Sequence, residues 1–444
     1  MASLKKRPSS IFYGWWIVLG GGLTQFYASA VFWRGFQAFV DPILNTTGWS
    51  HGVFAAAVSI QRGESGLISP FVGVMLDRFG PKRVMIFGIV LTGFGFILMS
   101  QMQTLWHFYA SVLLLALGMS FGTFIVFVAT VGNWFVRRRA RAFSTLMTFS
   151  AVGAVALPLL VWVIDTYGWR PALFWIGVGF WIIGIPVALM MRRRPEDYGQ
   201  LPDGDAELRV TDANGGTRRP VREISIGVRE VLRLRAFWQI SIAVSVGQLV
   251  SSTNLFHLPA LVEYEISAWL AATAAGAVAI GDILGRVSMG FIGDRFDKKI
   301  LLTLSFLVQM LGVGALALIN HTFLGIDWGL IPLPIFVLGF GLGFGASIPL
   351  RLAILADYFG RRSYGSVVGI ASSVSAIFGT IGPLFVGLMY DFTDSYRPAY
   401  AIMGLMMLIA IPLTMTLESQ TRVAAKVRQA ARSRVRRMAM RRAG

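Results

Sequence analysis

Windows of about 20 residues almost free of charge recur along the whole chain, and each is long enough as a helix to cross a hydrocarbon core of about 30 Å. Twelve are predicted: residues 12–40, 49–76, 84–101, 105–136, 141–165 and 171–191 in the first half, and 236–262, 266–292, 300–319, 328–358, 364–390 and 398–417 in the second. The fold class expected is therefore an all-α integral membrane protein with twelve transmembrane helices. Many windows are glycine-rich, as at Gly20, Gly21 and Gly22 and at Gly339, Gly341, Gly343 and Gly345. In lipid such residues allow close helix approach and do not forbid helix.

Charge orients the spans. Most of the 40 Lys and Arg fall in the N-terminal arm, in loops near Lys82, Arg138, Lys298 and Arg361, in the long central loop and in the tail, whereas only Arg170 and Arg397 lie in the loops opposite. The positive-inside rule then places both termini in the cytoplasm of a plasma membrane, with a bacterial inner membrane as the expected setting. Lys5, Lys6 and Arg7 precede an apolar run ending at Ala28, Ser29 and Ala30, which mimics a signal peptide. Cleavage is not expected, because it would leave eleven spans and break the pairing of the halves described below.

These features divide the chain into a cytoplasmic arm (1–11), a six-helix bundle (12–191), a polar linker (192–235), a second six-helix bundle (236–417) and a basic tail (418–444). From Thr421 onward the tail carries nine basic residues and no acid, with Val423, Val427, Val435 and Met438 interleaved. That pattern predicts a surface-lying helix on anionic lipid. The net charge of +18 is accounted for by these loops and the tail, so nucleic acid is not an expected partner. With no cysteine and only His51, His107, His257 and His321, no metal site, cofactor or thiol chemistry is expected, and no nucleophile-base constellation suggests an enzyme.

The strongest signal is duplication. The run Gly73, Asp77, Arg78, Phe79, Gly80, Pro81, Lys82, Arg83 recurs as Gly290, Asp294, Arg295, Phe296, Asp297, Lys298, Lys299, joining the second and third helices of each half. Trp134 to Arg138 answers Tyr358 to Arg362, and Trp169 to Ala172 answers Tyr396 to Ala399. A buried-edge Asp in such a loop can cap a neighbouring helix N-terminus, while its basic cluster meets helix C-termini and lipid phosphates.

In these residues the chain resembles the major facilitator superfamily, whose loop between helices 2 and 3 carries a Gly-x-x-x-Asp-Arg-x-Gly pattern followed by basic residues. The second copy departs from it, with Asp297 where the pattern has glycine. The resemblance implies two pseudo-symmetric six-helix bundles and a cytoplasmic gate motif at Gly73, Asp77, Arg78, Gly80, Gly290, Asp294 and Arg295. A narrower likeness, to the monocarboxylate transporters and the oxalate:formate antiporters, rests on Tyr13 to Trp16, Arg62 to Gly66, Arg192 to Gly199, His257 to Pro259, Asp282 with Arg286, and Pro349 to Arg351.

Six ionisable residues fall inside spans, where a lone charge costs roughly 3 kcal/mol or more: Arg34, Arg62, Glu64, Asp282, Arg286 and Arg351. Four are positive and two negative, which suits a cavity for a small anion. Asp282 and Arg286 share one helix face and are expected to pair. The resemblance implies that Arg286 is the substrate-binding cation and Arg34, where the family often has Lys, a second cationic contact; the alternatives are a structural staple and snorkelling. Glu64 and Asp282 lie at similar depths in the two halves and are the candidates for proton coupling. Arg62 and Arg351 are intramembrane charge partners, Arg351 being expected to pair with Glu64 or Asp357 ahead of touching substrate. His257 is a candidate cavity residue or a satisfied buried histidine.

The function expected is secondary transport of a small organic anion, most readily a monocarboxylate, by proton symport with alternating access. An anion antiporter of the oxalate:formate type, disfavoured by the absence of a basic residue in 364–390, and a non-transporting sensor or scaffold are the other readings. The expected partners are the anion, protons and membrane lipids.

Overall fold

The computed structural model describes residues 11–204, 226–423 and 425, together with the two-residue strands Val210–Thr211 and Thr217–Arg218. The described residues form twelve helical rods, α1 to α12: residues 13–47, His51–Phe79, Pro81–Ser100, Leu105–Trp134, Arg139–Tyr167, Trp169–Met190, 235–263, Ala268–Ile292, Lys298–Leu318, Pro332–Phe359, Tyr364–Thr393 and Arg397–Met415. Their ends fall within a few residues of those expected, except that α1 runs on from 40 to Thr47. The N-terminal arm to residue 10 and nearly all of the basic tail lie outside the described residues, so the expected surface helix there does too.

Among the described residues, nine rods are long and apolar enough to cross a membrane, two of them with a local break, at Thr123 in α4 and over the 3-10 stretch Gly153–Ala156 in α5. The other three depart for identifiable reasons. In α1 a π-helical turn, Ser29–Trp33, gives way to a 3-10 stretch, Gly35–Phe39, and in α7 a 3-10 stretch covers Ser252–Phe256. Such local rewinding commonly marks functional segments. The second rod, α2, is continuous but carries Arg62, Glu64, Asp77 and Arg78.

The packing repeats as the sequence does. In the first half α3 lies against α4 and α6, α1 against α5, and α2 against α4; in the second half α9 lies against α10 and α12, α7 against α11, and α8 against α10. The halves meet along two equivalent seams, α2 with α11 and α8 with α5. This is the arrangement expected of two six-helix repeats about a central site.

The glycines of α10 split into two i, i+4 pairs with different duties. Gly341 and Gly345 meet the backbone of α8 at Gly281 and Asp282, while Gly339 and Gly343 meet α9 at Gly312 and Gln309. Any side chain would separate these helices, so the sequence clears both faces at once. Helix ends are set by Gly80, Gly168 and Gly360, whose φ values of 80°, 85° and 74° are open to glycine at little cost.

Candidate functional site

A cavity of about 640 Å³ lies between the halves. Residues of α1, α2 and α4 wall it on one side, and residues of α7, α8, α10 and α11 on the other. Phe32, Trp33, Phe36, Phe124 and Phe344 form apolar surface; Gln61, Ser65, Ser69, Ser120, Gln248, Ser251, Ser252, Ser372 and Ser375 form a hydroxyl- and amide-rich one. Arg34, Arg286 and Arg351 supply three cations, and among the described residues no Asp or Glu lines the wall.

The three arginines sit in different surroundings. Arg286 on α8 is 7% exposed; its Nε and Nη2 donate to the two oxygens of Asp282 at 2.7 and 2.8 Å, and its Nη1 donates to the carbonyl of Met147 on α5 at 2.8 Å. This is the expected one-turn pair, in the bidentate form that is strongest in a dry setting. Arg34 is exposed to the cavity just past the π turn of α1, without an ion-pair partner among the described residues. Arg351 donates one Nη1 hydrogen to the amide oxygen of Gln248 on α7 at 3.2 Å.

On the face that carries the basic loops, the halves are sealed. Gly73 of α2 packs on the backbone of Gly365, and Asp77 accepts hydrogen bonds from the backbone N–H of Ser366 at 3.1 Å and its hydroxyl at 2.6 Å, capping the start of α11. At the other seam Gly290 of α8 packs on Ser144, and Asp294 accepts from the N–H groups of Ala140 and Arg141 at 2.8 and 3.0 Å, capping the start of α5. Burial nonetheless pushes the Asp294 carboxyl above the ordinary carboxylate range, against the pull of those bonds and of Lys298. Asp357 of α10 bridges Arg139 at 2.7 Å and Lys298 at 2.9 Å. Arg361 donates to the Asn133 carbonyl at 2.9 Å and pairs with Glu196 at 2.7 Å.

The major facilitator superfamily profile matches residues 22–348 and again 328–442, between them nearly the whole chain. The chain belongs to the major facilitator superfamily. It is 25% identical over 425 residues to monocarboxylate transporter 13 of Bos taurus, covering 93% of this chain and 91% of that one. It is likewise 25% identical to monocarboxylate transporter 12 of Rattus norvegicus, over 90% of this chain and 84% of that one. Among solved structures, a double tryptophan mutant of XylE superposes with a TM-score of 0.70 at 14% identity, covering 93% of this chain and 98% of that one. The E. coli fucose:proton symporter FucP superposes at 0.65 with 16% identity, covering 92% and 100%. The superfamily is one of integral membrane transporters, and both the fold and the membrane setting of this chain follow from membership.

Within this superfamily frame the expected residues sort themselves. Arg286 and Arg34 line the cavity, and Asp282 is reached through Arg286. Glu64 is 8% exposed just behind the wall, its Oε2 accepting from Ser65 at 3.3 Å and Ser120 at 3.2 Å while its Oε1 has no partner. The pseudo-symmetric acids therefore have unlike surroundings, one a guanidinium and the other two serines. The side chain of Arg62 lies outside the described residues. Arg351 does not pair with Glu64 or Asp357, because Asp357 is taken by Arg139 and Lys298 and the described partners of Glu64 are serines; it faces the cavity instead. His257 is not on the cavity wall: its ring stands edge-on to Phe336 and Phe340 with centroids at 5.1 and 4.5 Å, and its Nε2 has no partner, so it is not a satisfied histidine either.

Sequence reasoning passed over Gln248 and Asp203. Asp203, 5% exposed in the linker, accepts from the backbone N–H groups of Val136, Arg137 and Arg138 at 3.0, 2.9 and 3.1 Å. The only local signal was its place between Pro202 and Gly204, which reads as an ordinary turn. Gln248 is one of several polar residues on α7, beside Gln239, Ser241, Ser245 and Ser251, and gains meaning only from Arg351, about a hundred positions away.

Proposed function

We propose that this transporter moves a small organic anion, a monocarboxylate in the simplest case, together with a proton, by rocking its two halves around the central cavity. The observation that carries the reading is the cavity wall: three arginines and, among the described residues, no acid. Such a wall attracts anions and repels cations, and the planar guanidinium suits a carboxylate. The relatives named as monocarboxylate transporters support the same class. With the basic loops in the cytoplasm, the sealed face is the inner one and the cavity is a state awaiting substrate from outside.

An inside-negative potential of 100 mV opposes an entering anion by about 2.3 kcal/mol, which a co-transported proton cancels. Asp282 is placed to link the two. Its carboxylate occupies Nε and Nη2 of Arg286, so a proton on Asp282 frees the guanidinium to clamp the substrate, and a bound substrate favours that proton in return. Glu64, reached from the cavity through Ser65 and Ser120, is the competing carrier.

The test is uptake of labelled acetate, lactate and benzoate into liposomes holding the purified protein, with and without an inward proton gradient. The reading expects saturable uptake that the gradient accelerates and that Arg286→Ala abolishes in folded protein. Asp282→Asn should retain exchange but lose uphill accumulation. Normal gradient-driven accumulation by Asp282→Asn would move the coupling to Glu64, to be checked with Glu64→Gln.

A further inference from the structure

We infer that Arg351 and Gln248 form a second carboxylate subsite in the cavity, available to substrate while Arg286 is still bound to Asp282. The inference rests on the anion-transport reading above. Arg286 uses three of its nitrogens, Nε and Nη2 on Asp282 and Nη1 on Met147, and its charge is matched by the bidentate carboxylate. A carboxylate arriving at Arg286 must first displace one already there. Arg351 is different. It lies on the cavity wall, four of its five N–H groups have no protein partner among the described residues, and no described carboxylate lies within ion-pair reach of it. An intramembrane guanidinium without a counter-charge is expensive to keep, and the cavity gives an anion access to it.

Gln248 completes the site. Arginine can only donate, so the amide oxygen of Gln248 faces it and the amide NH₂ is turned away, with no described partner of its own. Gln248 is held against Gly379 of α11, where its Cγ would meet an added Cβ at 3.5 Å. The result is a guanidinium fork beside a primary amide, all unused hydrogens being donors. That set suits a carboxylate, whose two oxygens only accept, and suits neither an amine nor a metal cation. Phe344, about two helical turns before Arg351 on α10, lines the same wall and offers apolar surface for the rest of an organic acid.

The order of events follows. Substrate is taken at Arg351 and Gln248 in the state described here, and passes to Arg286 when a proton releases Asp282.

The experiment compares wild type with Arg351→Gln, Arg351→Lys and Gln248→Leu, using acetate, lactate and benzoate as probes, in two readouts: thermal stabilisation of the purified protein by each acid, and KM and kcat of uptake in liposomes. The subsite predicts that Arg351→Gln raises KM and the half-stabilising concentration by about tenfold or more, equivalent to about 1.4 kcal/mol, with kcat changed far less. Gln248→Leu should give a smaller rise, and Arg351→Lys, keeping charge but not the fork, an intermediate one. A purely structural arginine would instead lower the melting temperature without probe and cut kcat, leaving KM in place; that outcome, or unchanged KM in both Arg351 variants, overturns the subsite. If wild type itself shows neither saturable uptake nor stabilisation by any carboxylate, the anion-transport reading falls and takes the subsite with it.

Discussion

The two copies of the loop motif perform the same task with different parts. In the first, Gly73 and Asp77 join α2 to α11; in the second, Gly290 and Asp294 join α8 to α5. Each glycine clears a seam between the halves and each aspartate caps a helix belonging to the other half. The turns that follow differ. Gly80 sits at φ 80°, ψ 165° and hands over directly to Pro81 at the start of α3. In the second copy the chain makes a longer turn, and Asp297, at φ −64°, caps α9 through its own side chain on the N–H of Lys299 at 2.8 Å. What the duplication preserves is therefore the contact across the seam, whereas the helix start behind it is free to change chemistry.

The sharpest way to break this comparison is to fill the glycines. At Gly73 an added Cβ lies 2.7 Å from the Cα of Ser366, a backbone atom that cannot move aside, whereas at Gly290 it meets the side chain of Ser144. Gly73→Val should hold the basic face open and reduce uptake about tenfold or more, while Gly290→Val should retain most of it. The chain has no cysteine, so Thr130→Cys, buried near that face, reports the opening as its rate of labelling by a membrane-impermeant maleimide. Equal loss in both valine variants would mean that the seams are not closed in the way described.

Gly80→Asp imports the second copy's residue into the first. The backbone there lies in a region that side chains rarely occupy, at a cost of about 1–3 kcal/mol. A lowered melting temperature is the expected result, and an unchanged one would show that the two turns are interchangeable.

The aspartates come next. Loss of a capping carboxylate costs about 1–2 kcal/mol. Asp77→Asn should open the basic face more than Asp294→Asn, because the approach to α5 is held a second time by Asp203 on the three N–H groups just before it. The double variant Asp203→Asn, Asp294→Asn should then exceed the sum of its parts in Thr130→Cys labelling. Additive effects would show that the linker does not share the load.

Much of this was readable in the sequence, and the limits are physical. Twelve spans, the repeat and the capping role of its aspartates follow from hydrophobic length, spacing and the charge of helix ends, all of which are local. The pairing of Asp282 with Arg286 follows from one helical turn. Arg351 and His257 were misplaced because their surroundings are assembled from distant helices: whether an arginine faces Asp357 or Gln248 depends on helix rotation, which an almost uniformly apolar pattern does not encode. Asp203 was missed for the same reason, since nothing around it announces that the loop after α4 needs a hydrogen-bond acceptor.

The smallest effect tests the comparison most closely. The glycine of the first copy suggests that Asp297 is a defect in the second, so that Asp297→Gly would repair it. The geometry argues otherwise. Asp297 has an ordinary extended φ and needs none of glycine's freedom, its carboxylate satisfies the otherwise orphaned N–H of Lys299, and a negative charge at the start of α9 interacts favourably with the helix dipole. Replacing it by glycine keeps the backbone path and loses the cap, which costs only a few tenths of a kcal/mol because a glycine leaves the end open to water. Asp297→Gly should therefore lower the melting temperature slightly and leave Thr130→Cys labelling unchanged, since the seam held by Asp294 is untouched. A rise in melting temperature would reveal strain in this turn and return the glycine of the pattern to a structural requirement in both copies.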